Sequence, residues 1–198
     1  MTNPVFSEFN PRAVAWQFEA KKFIRAWDYR VNGILEVLFS GSVGSAKSIL
    51  AANLGVSHCL MYSGAELGIF RRALPDLKDT IYQTIVEHID GSEIVIDGIK
   101  DTMREGVHYS LNSTRASIDF CNGSYIGAGY WADKKYRRLR SKPYSCGIIE
   151  ELTENSNEEC EGFYPEVLSR IGRVNEINAG VKENWLLTLT NPEGESHW

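Results

Sequence analysis

The stretch "ILEVLFSGSVGSAKSILAANL", Ile34 to Leu54, constrains the fold more than any other part of the chain. An apolar run over 34–40 reads as a buried strand, and the run from about Lys47 to Tyr62 reads as a helix. Between them lies Gly41-Ser42-Val43-Gly44-Ser45-Ala46-Lys47-Ser48, a loop of small residues that closes on Lys-Ser. In such a loop successive backbone N–H groups point inward and cradle the β- and γ-phosphates of a nucleotide, and the helix N-terminus adds its positive end. Lys47 supplies a point charge to the same oxygens, and the Ser48 hydroxyl is placed to ligate Mg²⁺. The departure from the usual pattern is Ala46, where glycine is expected. Alanine resists left-handed backbone angles, so the loop must hold Ala46 at negative φ or accept strain on the order of 1 kcal/mol. The plain alternative is a Gly/Ser turn that happens to precede Lys-Ser.

A chain of 198 residues, 43% hydrophobic and 24% charged, has the size and composition of one globular domain, expected to span 1–198. No run approaches the roughly 18 apolar residues that cross a bilayer, and "MTNPVFSEFNPRAV" has neither the charged nor the apolar part of a secretory leader. Cys59, Cys121, Cys146 and Cys160 form no C-x-x-C pair, which argues against structural zinc and for free thiols in a reducing cytoplasm. The net charge of −5 excludes a domain that binds nucleic acid through overall basicity, so any DNA contact must come from a local patch.

Residues 1–32 are expected to hold a helical segment packed on the core, carried by "AVAWQFEAKKFIRAWDYRV". Gln17 or the aromatics around Trp16 and Phe23 are candidates for an adenine pocket, with core packing as the alternative. Further along, "ELGIFRR" (66–72) reads as a strand and "LPDLKDTIYQTIVEHI" (74–89) as a helix. From 107 onward the pattern alternates, and Asn122-Gly123 between two such runs signals a hairpin. A strand over 144–152, a helix around 163–172 and a last strand over 184–192 complete the order. Strands alternating with helices give an α/β core with a mostly parallel sheet.

"CGIIEEL" ends a strand on Glu150 and Glu151. A nucleotide-hydrolysing site needs one strand-end carboxylate for Mg²⁺ and often a second to orient water. Glu150 is the metal candidate and Glu151 the water-orienting one, with Lys47 as the other catalytic side chain. The alternative is a solvated acidic helix start, for which "EELTENSNEEC" has enough charge.

Taken in order, "GSVGSAKS", "GIFRRALPDLKDT", "IDFCNGSYIGAGYW", "IIEELTE" and "LTLTNPEG" resemble the N-terminal ATPase domain of the large terminase subunit, the DNA-packaging motor of tailed bacteriophages. The resemblance implies a P-loop NTPase of the additional-strand type, with a mostly parallel central sheet flanked by helices and an inserted β-hairpin. It implies Mg²⁺-dependent hydrolysis of ATP that drives double-stranded viral DNA into a procapsid. It also implies that Thr188-Leu189-Thr190-Asn191-Pro192 is the coupling motif, with Thr190 and Asn191 as neutral donors facing the γ-phosphate. Many family members carry an arginine in the loop where this chain has Val43, so the finger is expected from the basic run before the acidic strand. Arg140, eleven residues before Glu151, is the candidate, supplied to a neighbouring subunit. Lys134, Lys135, Arg137 and Arg138 are the candidates for sequence-independent contact with DNA phosphates, and Arg71 and Arg72 are left near the nucleotide or an interface.

The implied partners are double-stranded DNA, a homo-oligomeric ring on the portal, the small terminase subunit, and a nuclease domain in cis or on another polypeptide. The implied location is the host cytoplasm, with no membrane. No nuclease domain is recognised in this sequence, so DNA cleavage is not expected from it. Two other readings stay open. One is a nucleotide-binding assembly or switch module with little turnover of its own. The other is a different DNA-dependent ATPase of the additional-strand type, such as a helicase.

Overall fold

The computed structural model describes residues 6–9, 15–27, 32–41, 46–132, 136, 139, 142–175 and 180–191. Strand β1 (Phe6–Phe9) and helix α1 (Ala15–Ala26) precede the phosphate-loop strand β2 (Leu35–Ser40) and helix α2 (Lys47–Met61). Strand β3 (Glu66–Arg71) leads into a continuous helical run: α3 (Leu74–Leu77), a π turn (Lys78–Tyr82) and α4 (Gln83–Ile89). Strands β4 (Glu93–Ile96), β5 (Ile99–Thr102), β6 (Tyr109–Asn112), β7 (Ser117–Phe120) and β8 (Tyr125–Tyr130) follow. Then come β9 (Cys146–Ile149), a 3₁₀ turn (Leu152–Glu154), α5 (Asn157–Leu168) and β10 (Trp185–Thr190).

Seven strands form the central sheet in the order β2-β10-β9-β3-β8-β7-β6. The first five run parallel, and β7 and β6 close one side antiparallel. Strand β10 separates β2 from β9, so the phosphate-loop strand and the acidic strand are not neighbours. This is the additional strand that the sequence resemblance implies. The expected hairpin is β7–β8, and it is continuous with the central sheet because β8 also pairs in parallel with β3.

Strand alternation divides the core between the two faces. Leu67, Ile69, Cys146, Ile148, Trp185, Leu187 and Leu189 join the cluster around α2, whose residues from Leu50 to Leu60 are all buried. Phe70, Ile149 and Leu186 point the other way, into the cluster of α5 with Phe163, Val167 and Trp131. Trp131 stacks on Phe163 at 3.8 Å between ring centroids and donates its indole N–H to Asn155 Oδ1 at 2.9 Å. Cys59, Cys146 and Cys160 are buried free thiols, and Cys121 is an exposed one.

Two departures from the sequence reading have local causes. A separate antiparallel sheet, β1-β4-β5, has no counterpart in it. Its β4–β5 turn is Asp97-Gly98, both at positive φ, as a two-residue hairpin requires. The helix expected at 163–172 begins at Asn157, because the Ser156 side chain accepts from the Glu159 N–H while the Glu159 carboxylate accepts from the Ser156 N–H. In the expected hairpin turn, Asn122 is buried and donates to Cys59 O (2.9 Å) and Leu60 O (3.3 Å), fastening the turn to the end of α2.

The Ser156 cap is separate from the sheet. Ser156→Ala is expected to lower stability by about 1 kcal/mol, read as a shift in the urea midpoint at constant m-value.

Candidate nucleotide and metal site

The parallel strands β2, β10, β9 and β3 end along one side of the sheet, where open α/β folds place their ligands. Thr190 lies opposite Ser40 in the register, Thr188 opposite Ile149, and Phe70 opposite Ile149. The ends of β2, β10 and β9 therefore meet.

Alternation carries Glu150 to the α2 face, following Cys146 and Ile148. There Ser48 Oγ, in the first turn of α2, donates to Glu150 Oε1 at 3.3 Å. Strict alternation would send Glu151 to the opposite face. Instead it adopts left-handed angles, φ 50° and ψ 57°, so the chain turns and both carboxylates serve one site. Asn191 Nδ2 donates to both Glu151 oxygens, at 2.8 and 3.0 Å. On its other side, Asn191 Oδ1 accepts from Lys47 Nζ at 3.0 Å, and Lys47 also donates to Gly41 O at 2.6 Å. One hydrogen-bonded line thus runs from Lys47 through Asn191 to Glu151. Thr190 Oγ donates to Thr153 Oγ at 3.0 Å, tying the end of β10 to the turn that follows Glu151.

Ala46 takes the left-handed option, with φ 60° and ψ 26°, immediately before α2. Buried Gln17 donates from Nε2 to Ala46 O at 3.0 Å, so α1 braces the loop at its strained residue. Phe23 is 59% exposed, so core packing is not its use.

No family model matches the sequence, and no curated protein matches it. Solved structures with the same architecture include the HK97 bacteriophage large terminase, with a TM-score of 0.61 at 11% identity over 90% of this chain and 33% of that one. The ATPase domain of the Thermus phage P74-26 large terminase gives 0.57 at 15% identity, over 93% and 67%. The large terminase of another thermophilic bacteriophage gives 0.56 at 14% identity, over 92% and 40%. The chain has the fold of a large-terminase ATPase domain. It spans less than half of the HK97 protein and of the second thermophilic phage's protein.

Within this terminase fold, Ser42, Val43, Gly44 and Ser45 of the loop lie outside the described residues. So do Lys134, Lys135, Arg137, Arg138, Arg140 and Pro192. Of the basic run, Tyr136 packs against the α5 cluster and Lys142 Nζ lies 3.8 Å from the centre of the Tyr125 ring. Among the described residues no group of three or more His, Cys, Asp or Glu side chains could hold a metal ion. The donor set present is a hydroxyl and a carboxylate, Ser48 and Glu150. Hard oxygen donors with few protein ligands suit Mg²⁺, which keeps waters and takes phosphate oxygens.

Burial pushes the Glu151 carboxyl above its ordinary value of 4.5, the Glu150 charge adds to this, and Arg71 and Lys47 oppose it. Arg71 has the place that sequence reasoning left open. It is 8% exposed and pairs with Glu150 Oε2 at 3.1 Å and with Glu154. Its parity with Leu67 and Ile69 on β3 is the signal that places it on the α2 face. Thr80, which also reaches Glu150, carries no such signal, because a helix with a π turn has no fixed period.

The strain at Ala46 can be relieved without touching a side-chain contact. Ala46→Gly is expected to raise stability by about 1 kcal/mol, as a higher thermal midpoint in the absence of nucleotide.

Proposed function

We propose that this chain is the ATPase domain of a phage large terminase, hydrolysing ATP with Mg²⁺ to move double-stranded viral DNA into a procapsid. The observation that carries the proposal is the line Lys47–Asn191–Glu151, which joins the phosphate-loop lysine to a strand-end carboxylate across the added strand. Lys47 and the loop amides of Gly41 to Ser48 hold the triphosphate, while Ser48 and Glu150 hold the metal. The bound Mg²⁺ supplies neutralisation of phosphate charge. Glu151 orients the attacking water and accepts its proton, a task that its raised proton affinity favours. Asn191 shares its two ends between Lys47 and Glu151, so a phosphate that competes for Lys47 also changes the hold on Glu151. Thr190 and Thr153 carry that change into the turn after β9.

Arg140 from a neighbouring copy completes the charge stabilisation, and Lys134, Lys135, Arg137 and Arg138 grip DNA phosphates without reading bases. In this reading the domain works in the host cytoplasm as part of a ring on the portal, with the small terminase subunit and a nuclease domain as partners. Among the described residues, no helix is long and apolar enough to cross a membrane.

ATP turnover measured against protein concentration tests the reading, with Lys47→Ala as the blank. A rate per subunit that rises with concentration and vanishes in the blank is expected. Glu151→Gln is expected to bind Mg-ATP and to lose turnover by about 100-fold or more. Undiminished turnover by this variant in a single-turnover experiment removes Glu151 from its role. Rates that stay at blank level despite Mg-ATP binding point instead to the nucleotide-binding module.

The raised Glu151 affinity gives a pH signature. Turnover needs the carboxylate ionised, so the acid limb of kcat/KM, which reports the free enzyme, is expected above 4.5, and kcat/KM is lost as pH falls through the raised value. Its effect on folding runs the other way. The folded state holds this proton more tightly than the unfolded state, so the associated stability is present in acid and lost as pH rises through the same window. A pH–rate profile of the parent chain, compared with its thermal midpoint over the same pH range, checks both directions.

A further inference from the structure

We infer that Arg71 and Thr80 are positioning residues for Glu150, fixing which carboxylate oxygen faces the metal, and that the π turn over Lys78–Tyr82 brings Thr80 to this task. The inference rests on the ATPase reading above. It concerns side chains from β3 and the helical run after it, outside the phosphate loop, the acidic pair and the coupling strand.

Glu150 is 4% exposed, and each of its oxygens has its own partners. Oε1 accepts from Ser48 Oγ at 3.3 Å. Oε2 accepts from Arg71 Nη1 at 3.1 Å and lies within hydrogen-bond reach of Thr80 Oγ. Arg71 Nη1 also donates to Thr80 Oγ at 2.8 Å, so guanidinium, hydroxyl and carboxylate close a three-membered ring of contacts. A carboxylate held this way cannot rotate about its terminal bond without breaking the Arg71 hydrogen bond to Oε2 and moving Oε2 off the Thr80 hydroxyl, whose one proton Oε2 shares with Asp76 O. Oε1 is therefore the oxygen presented to the Ser48 side.

The charge arrangement fits the same purpose. Arg71 beside Glu150 alone would make a neutral pair and a poor cation site. Arg71 is, however, shared with Glu154, with Nε 3.1 Å from Oε2 and Nη2 bonded to Oε1. One guanidinium between two carboxylates leaves a negative charge beside Ser48. The fork-to-carboxylate pairing with Glu154 also sets the plane of the guanidinium, which a lysine could not reproduce.

The π turn is the second, independent observation. Its sequence "KDTIY" contains neither glycine nor proline to account for a break in the helix. Thr80 lies at its centre, with its hydroxyl also 2.7 Å from Asp76 O. π turns recur where a helix must re-aim a side chain at a functional site.

The test measures Mn²⁺ binding by electron paramagnetic resonance in the presence of ADP, and separately measures ATP binding without metal. Thr80→Val and Arg71→Lys are each expected to weaken Mn²⁺ about tenfold or more, with metal-free ATP binding within about twofold of the parent chain. Thr80→Ser, which keeps the hydroxyl, is expected to restore Mn²⁺ affinity. The Mg²⁺ concentration for half-maximal turnover should rise in step, while kcat at saturating Mg²⁺ changes less. Unchanged Mn²⁺ affinity in Thr80→Val, with the fold intact by thermal midpoint, overturns the positioning role and leaves the ATPase reading standing. This variant decides the matter if Arg71→Lys does not fold. Absence of metal-dependent nucleotide binding in the parent chain overturns the ATPase reading, and this inference with it.

Discussion

The carboxylate of Glu150 gathers the end of the sheet. Ser48 reaches it from the start of α2, Arg71 from the end of β3 and Thr80 from the helical run beyond. A buried carboxylate that lost these partners would leave an uncompensated charge, which costs far more than any one of the contacts is worth. That penalty makes the arrangement cooperative. The register of β9 against β3 and the position of α2 over the sheet must both be correct for the charge to be tolerated. Arg71 carries a desolvation cost of its own, outweighed by the hydrogen bond to Glu154 and by the surrounding carboxylates, which together raise its hold on its proton.

Two residues without the freedom of glycine sit at left-handed angles beside this centre, Ala46 before α2 and Glu151 after β9. Each is held by an amide side chain from elsewhere in the chain. Gln17 donates to the Ala46 carbonyl, and Asn191 donates to both oxygens of Glu151. Strain of this kind persists only where surrounding contacts over-determine the backbone. At Glu151 the turn brings the two glutamates together, because without it successive strand residues would place them on opposite faces of the sheet.

Much of this was legible in the sequence, for identifiable reasons. The strand–loop–helix at Ile34 to Leu54 and the apolar strands ending at Arg71, Ile149 and Thr190 follow from period and composition, and their chain order fits a sheet with one added strand. The β1-β4-β5 sheet was not legible, because four-residue strands offer too little alternation to distinguish. The start of α5 was encoded in a local Ser156–Glu159 box that apolar periodicity ignores. In the site, Lys47, Ser48, Glu150, Glu151 and Asn191 come together from motif chemistry. Thr80 and Glu154 do not, since their relevance exists only once Arg71 has been placed between them.

The 3₁₀ turn over Leu152–Glu154 shows how few residues separate the parts that must communicate. Thr153 is bonded to Thr190 at the end of β10 and to the carbonyl of Asn191 just beyond it, while the adjacent Glu154 is bonded to Arg71 on β3. Glu151 directly precedes the turn and is joined through Asn191 to Lys47. A displacement of the β10 end would therefore load this turn, and through Glu154 the guanidinium bonded to Glu150. The turn is closed by hydrogen bonds from the Glu154 N–H to the Glu151 carbonyl at 3.0 Å and from the Asn155 N–H to Leu152 O at 3.2 Å. Those bonds link the surroundings of the Glu151 carboxylate to those of the Glu150 carboxylate through contacts that the fold already needs in order to bury its charges.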